Sequence, residues 1–318
     1  DRSHEGRLYL TGATRHELLN RMSTNDILGM TTGEGRGTIF TNTHARTLER
    51  ILVYDQAERL LLLTQPGRAA AFGPWLQKHI FYNDDAQLQD VTADTVQFTL
   101  HGPTADTVMQ QLVPGAAALA PLHGQDVTIA DVPIFAARRK PFIGAHWSLI
   151  GPREQAVTLH QAVLEAGQAH GLRPVGSLTY NTLRIQAGQP AGRELSKDYI
   201  PLEVGLWDEV HFQKGCYTGQ EIIARMESRS KLARTLVALA PAQHVESPAQ
   251  LFRAGKPVGT LTSSVQAPDG RCFAIAVIKT AHSTPDTALE IGDSRIAAQV
   301  VRLLGTQPDY ISQLQGAS

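Results

Sequence analysis

From Thr235 onward the chain becomes a series of short alternating segments, and this change constrains the fold more than any feature before it. Thr235–Leu239, Leu251–Arg253, Pro257–Ser264, Cys272–Ile278, Ala288–Ile291 and Ile296–Leu303 are aliphatic-rich and parted by Gly, Pro and Asp turns. Segments of this length and spacing predict antiparallel strands that form a small barrel or sandwich of their own. Gly255-Lys256 offers a tight turn between two of them. The character changes after Lys231, which divides the chain into residues 1–230 and 231–318.

The first region mixes helices and strands without a regular βαβ repeat, so the fold class is α+β. Thr14-Arg15-His16-Glu17 has capping-box spacing and opens an apolar stripe, Leu18, Leu19 and Met22, for a helix to about Thr24. Strands are expected at Thr38–Thr41, Leu48–Tyr54, Leu60–Thr64 and Val96–Leu100. Pro66 to Ile80 reads as a helix bent at Gly73-Pro74, and Gly102-Pro103 opens a short one with proline in its first turn. Val132–Arg138 and His146–Ile150 read as a hairpin. Pro152 to His170 is a helix stopped by Gly171, and Leu178–Ala187 is another.

At 318 residues the chain can hold two or three domains. Its apolar runs are too short to span a bilayer as helices. Asp1-Arg2-Ser3-His4-Glu5 carries no apolar signal region, so a cytoplasmic, reducing compartment is expected. No initiator Met opens the sequence, and upstream residues are expected to be missing. The two cysteines form neither a disulfide framework nor a Cys-x-x-Cys pair, and the 12 histidines show no HExxH pattern. No stable metal site is expected. A net charge of −1 excludes a globally basic nucleic-acid binder but leaves two local patches. One is Arg225, Arg229, Lys231 and Arg234; the other is Arg138-Arg139-Lys140. Solvated surface is the ordinary role of such clusters.

The stretch carrying most chemistry is Lys214-Gly215-Cys216-Tyr217-Thr218-Gly219-Gln220-Glu221, followed by the helix-like Ile222 to Met226. Thr218 and Glu221 have the spacing of a capping box, which puts Cys216 just ahead of a first helical turn. The helix terminus and Lys214 would there favour a thiolate, a nucleophile or soft metal ligand. The alternative is a small buried apolar residue. Glu203 lies in an apolar segment, Tyr199 to Leu206. It is either solvated at a bend, paired, or an acceptor for a heterocycle with adjacent N–H and NH2 donors. Asn25-Asp26 can simply end a helix and begin a turn. Gly33-Glu34-Gly35-Arg36-Gly37 lacks the context of a phosphate loop and reads as a flexible turn. Cys272, in an alternating strand, reads as core.

Together these residues resemble the YgfZ-type branch of the glycine-cleavage T-protein superfamily. The resemblance rests on Leu18 to Ile27, Arg184-Ile185-Gln186-Ala187-Gly188, Ile200 to Leu206, the Lys214 to Glu221 block and Gly255 to Ser264, and spans nearly the whole chain. It implies a folate-binding fold of intertwined domains around a central channel, with a C-terminal antiparallel β-barrel. It also implies a protein that binds tetrahydrofolate, or a one-carbon derivative, and supports iron–sulfur cluster assembly or repair. Iron–sulfur enzymes that modify tRNA are among the implied clients. By this resemblance Cys216 is the signature cysteine, Glu203 the pterin-holding carboxylate, and Arg234 lies near arginines directed to the folate's anionic tail. Asp26 joins them as a candidate contact, and Lys214, Gly215, Tyr217, Gly219, Gln220 and Glu221 are the motif around the thiol.

T-proteins carry a catalytic aspartate in a Gly-Gly-Ile-x-Asp-Asp stretch, where this chain reads Ala45 to Tyr54 with Glu49 beside Arg50. Catalytic geometry tolerates displacements of no more than about 1 Å, so the change argues against aminomethyl transfer. Three expectations result. The leading one is a folate-binding iron–sulfur accessory protein using Cys216. The second is a folate-dependent aminomethyl or methyl transferase with Glu49 or Asp26 as base. The third is a tRNA-associated module using the Arg225–Arg234 patch.

Overall fold

The computed structural model describes residues 1–312. They form two compact units, one of Asp1–Thr38 with Glu49–Pro174, the other of Ile39–Leu48 with the residues from Val175 on.

The first unit runs β1 (Glu5–Thr11), α1 (Arg15–Met22), β2 (Gly35–Thr41), β3 (Thr47–Asp55), β4 (Leu60–Pro66), α2 (Ala69–Gln77) and β5 (Gln87–Asp90). It continues with β6 (Thr95–Gly102), α3 (Ala105–Leu112), β7 (His123–Ile129), β8 (Val132–Arg138), β9 (Ala145–Pro152) and α4 (Ala156–Gln168). One sheet has the order β2-β3-β4-β1-β5 and the other β6-β9-β8-β7. Alternation along β6, β8 and β9 gives the second sheet two apolar faces. Leu100, Ile134, Trp147 and Leu149 pack with Val108 and Met109 of α3 and Leu159 and Val163 of α4. On the opposite face Phe135, Ala137 and Ile150 meet Leu52, Tyr54, Leu61 and Leu63 of the first sheet. Farther along β6 and β9 that face turns polar, with Thr99 opposite Ser148 and His101 opposite His146.

The second unit holds α5 (Ser177–Ala187), α6 (Gln220–Ser228) and the strands β10 (Arg234–Pro241), β11 (Ala249–Arg253), β12 (Lys256–Gln266), β13 (Cys272–Lys279), β14 (Ala288–Ile291) and β15 (Ile296–Leu303). These six strands close into a barrel of order β10-β13-β12-β11-β14-β15. Val237, Leu239, Leu251, Leu261, Ala276 and Ile291 belong to its packed core. Leu236, Ile275 and Val277 form a separate cluster with Ile39, Ile185, Leu195 and Val204, which explains why α5 and the turn from β2 to β3 belong with the barrel.

The six barrel strands and the β8–β9 hairpin lie where their apolar alternation predicts. Several local readings need correction. The barrel's tight turn is Ala254-Gly255, both with positive φ (49° and 74°), and Lys256 already belongs to β12 opposite Arg253. Thr14 makes no side-chain cap to α1, and Pro103 precedes the Thr104 cap of α3 instead of entering its first turn. Gly33 turns with φ 85°, but Gly35 to Gly37 are strand.

Candidate functional site

Helix α6 starts one residue later than a Thr218 cap requires. Its N-cap is Gly219, with φ 85° and no side-chain capping bond. The expected Thr218–Glu221 capping box is therefore absent. Thr218 is exposed, and Glu221 instead accepts from Arg225 at 2.9 Å across one helical turn. Cys216 lies outside the first turn and is exposed, which excludes its reading as a buried apolar residue. Its loop is fixed by its neighbours. Tyr217 is buried with Ala45, Ile200, Leu202 and Ile223, and burial pushes its phenol well above the ordinary range. The Lys214 ammonium stands 5.2 Å from the Tyr217 ring centroid, and the Gln220 amide donates to the Lys214 carbonyl at 3.3 Å.

Glu203 is paired, not solvated. It sits in a single 3-10 turn, Pro201–Val204, with 6% of its surface exposed. Arg234 donates Nε to Oε1 at 2.8 Å and Nη2 to Oε2 at 2.9 Å, a two-point arginine–carboxylate fork. Oε2 also accepts from the Ile200 amide at 3.1 Å and from Arg46 Nη1 at 3.4 Å. Arg46 reaches the Asp198 carbonyl at 2.9 Å, and the Arg234 guanidinium lies 5.1 Å from the Tyr199 ring centroid. The two carboxylate oxygens thus have four donors already. A pterin edge would have to share these oxygens with Arg234 or displace it.

The acids considered as bases are also engaged, each by an arginine of its own unit. Glu49 is 2% exposed; its Oε1 accepts from the Gln65 amide at 2.9 Å and its Oε2 from Arg68 Nε at 2.8 Å. Burial raises its carboxyl above the ordinary range against the pull of Arg68. Asp26 forms a local turn, accepting from the Leu28 amide at 3.1 Å, and Arg36 Nη1 lies 3.4 Å from its Oδ2. Asn25 braces this turn on β2, its amide donating to the Gly37 carbonyl at 2.8 Å.

Both basic patches are depleted by internal contacts. Arg234 is held by Glu203 and Arg225 pairs with Glu221. Arg138 is bonded to Asp106 and to the Leu119 carbonyl, while Arg139 faces Glu5 and Ser148. Cys272 is a further correction: it is half-buried and lines a cleft of about 370 Å³ with Ile185, Gln186, Phe273 and Arg302. Among the described residues no group of three or more His, Cys, Asp or Glu side chains could hold a metal ion. None of their helices is long and apolar enough to cross a membrane. Arg46, Arg68 and Arg36 were not singled out from sequence. Each meets its carboxylate through the fold, and no local spacing marks the pairing.

The family model described as the GCVT N-terminal domain matches residues 1–214, and that of the glycine cleavage T-protein C-terminal barrel domain matches residues 234–304. A putative chloroplastic transferase of Arabidopsis thaliana is 29% identical over 313 residues, covering 97% of this chain and 72% of the relative. An aminomethyltransferase of Geobacillus sp. (strain WCH70) is 28% identical over 311 residues, covering 95% and 85% of the respective chains. The crystal structure of the glycine cleavage system aminomethyltransferase T from Bartonella henselae superimposes with a TM-score of 0.83. It shares 21% identity, over 99% of this chain and 86% of that one, and so attests the fold.

Proposed function

The chain belongs to the glycine-cleavage T-protein family, and from that premise we propose that it binds a reduced folate and supports iron–sulfur cluster assembly or repair through Cys216. The observation that carries the reading is the exposed Cys216 thiol, presented by a loop whose flanking residues Tyr217 and Gly219 are fixed. The engaged acids argue in the same direction. A general base must be free to take a proton at the reacting atom, and Glu49 and Asp26 are held by Arg68 and Arg36.

Bound folate would supply one-carbon carrier chemistry. Glu203 fits such a ligand as the holder of Arg234 and Arg46, whose planar guanidinium groups suit the anionic tail. Asp26 is a further proposed contact. A lone cysteine cannot complete a cluster's usual ligand set, so contact with iron–sulfur clients, tRNA-modifying enzymes among them, is transient or shared. Direct tRNA binding would fall on Arg225, Arg229 and Lys231, and must weaken as salt rises.

The second reading is a folate-dependent aminomethyl or methyl transferase, favoured by the names of the relatives. Calorimetry with tetrahydrofolate, joined to complementation in cells lacking the protein, separates the two. The expected outcome is folate binding together with a Cys216→Ser variant that fails to restore iron–sulfur enzyme activity. No heat and no shift in melting temperature would remove the folate from both readings. Full rescue by Cys216→Ser would remove the thiol. Turnover of an aminomethyl donor that vanishes in Glu49→Gln would establish the transferase.

A further inference from the structure

The turn between β2 and β3 touches the Glu203 cluster on one side and the Cys216 loop on the other. It is tightly closed: the Asn42 amide donates to the Arg46 carbonyl at 3.0 Å and the Ala45 amide to the Asn42 carbonyl at 2.9 Å. Asn42 Oδ1 also accepts from the His44 and Arg46 amides at 2.9 and 3.0 Å. Ala45 at its apex is fully buried with φ 57°, a conformation that only surrounding contacts keep in a residue bearing a side chain.

On the first side Arg46 Nη1 reaches the Asp198 carbonyl at 2.9 Å and Glu203 at 3.4 Å, and the Thr47 amide donates to the Tyr199 carbonyl at 3.0 Å. On the other side the Thr41 hydroxyl donates to the Thr218 carbonyl. Gly219 lies so close that a Cβ there would stand 2.7 Å from the Asn42 carbonyl oxygen and 2.9 Å from Ala45 Cα. Ala45 also shares the cluster that buries Tyr217. Cys216 is thus one residue from a side chain seated on this turn, while Gly215 before it meets nothing within 4 Å of a would-be Cβ. The turn thus anchors the end of the loop that follows Cys216.

We infer that Arg46 and Gly219 are positioning residues for Cys216: Arg46 clamps the turn to the Asp198–Glu203 segment, and the turn seats Gly219 and Tyr217. The functional meaning rests on Cys216 being the working thiol, but the clamp is tested by thiol chemistry alone and stands or falls without folate or a client.

The test is residue-resolved alkylation by iodoacetamide, followed by mass spectrometry, on the full chain under native conditions. Cys272, in the barrel, serves as the internal control for general loosening. Arg46→Ala is expected to raise the Cys216 rate severalfold and leave Cys272 unchanged. Arg46→Lys, which keeps a cation able to reach the Asp198 carbonyl, is expected to return part of the way. Gly219→Ala is expected to change the Cys216 rate in the same selective manner. If Gly219→Ala loses its fold by circular dichroism, the Arg46 pair decides alone. A Cys216 rate equal to that of the parent in Arg46→Ala, or an equal rise at both cysteines, overturns the inference.

Discussion

Glu49 shows how a carboxyl side chain can be present and still be engaged elsewhere. Its oxygens are filled by Gln65 and Arg68, and its environment favours the neutral acid more than water does. Gln is nearly isosteric and can still accept from the Gln65 amide, though it loses the charge-assisted bond to Arg68. Because Arg68 is about half exposed, its guanidinium can return to water when the partner is removed. Glu49→Gln is therefore expected to change stability by no more than about 1 kcal/mol at pH 7, read by urea unfolding, and to leave tetrahydrofolate binding intact. Loss of folate affinity in a variant that still folds would return Glu49 to the ligand site. Glu203 is the contrasting case. Both are carboxylates in apolar sequence, but Glu203 carries two arginines and joins three separate segments.

Among the elements, α6 separates what was legible in the sequence from what was not. A helix after Gly219 could be read, because the apolar spacing of Ile222, Ile223 and Met226 is local information. The cap could not, because Thr218 spends its carbonyl on Thr41, which lies far away in sequence. A true N-cap threonine contributes about 1 kcal/mol, so Thr218→Ala tests the distinction. It is expected to cost less than about 0.5 kcal/mol in urea unfolding, since no side-chain bond is lost. A loss of about 1 kcal/mol or more would restore the capping box.

The same reasoning explains the strands. All six barrel strands were legible because each alternates between the barrel core and its outer face. β1 was missed because Arg7 interrupts its apolar run. Arg7 is fully buried, but backbone oxygens of Ser3, Glu5 and Thr92 and the Thr95 hydroxyl satisfy it. β7 was missed because His123, Gln125 and Asp126 give it no continuous apolar signal. Arg46, the clamp on the turn, was equally invisible. Its role depends on which unit the turn joins.

At the scale of the whole molecule, the polar end of the layer between the two sheets of the first unit is expected to limit stability in acid. His101 and His146 face each other across β6 and β9 with ring centroids 4.2 Å apart, and Phe142 stands edge-on to both. Burial, with Arg139 and Arg2 adding to it, lowers His101 to about 3 and holds His146 well below its ordinary value. Glu5, the acid of this cluster, is bonded to Arg2 and to Gln97 and lies 3.5 Å from Arg139, so its charge is already matched. An unfolded histidine takes up its proton near pH 6.5, whereas these two stay neutral in the fold.

The unfolded chain therefore binds more protons below pH 6.5, and stability must fall as the pH is lowered from there. Each histidine contributes a slope of about 1.4 kcal/mol per pH unit, continuing down to its folded value. Glu5 adds a loss of its own at lower pH, because its folded carboxyl is held below the ordinary range despite burial, by Arg139 and Arg2. The stability that the pair contributes is thus full above about pH 6.5 and erodes below it, and its loss begins at higher pH than that of the carboxylates, which protonate near about pH 4. Urea unfolding at pH 7.5, 6 and 5 measures the slope. In a chain carrying His101→Leu and His146→Leu it should flatten over that interval, whatever the change in absolute stability. If the double variant keeps the parent's slope, other groups set the acid limit and the buried histidine pair has no part in it.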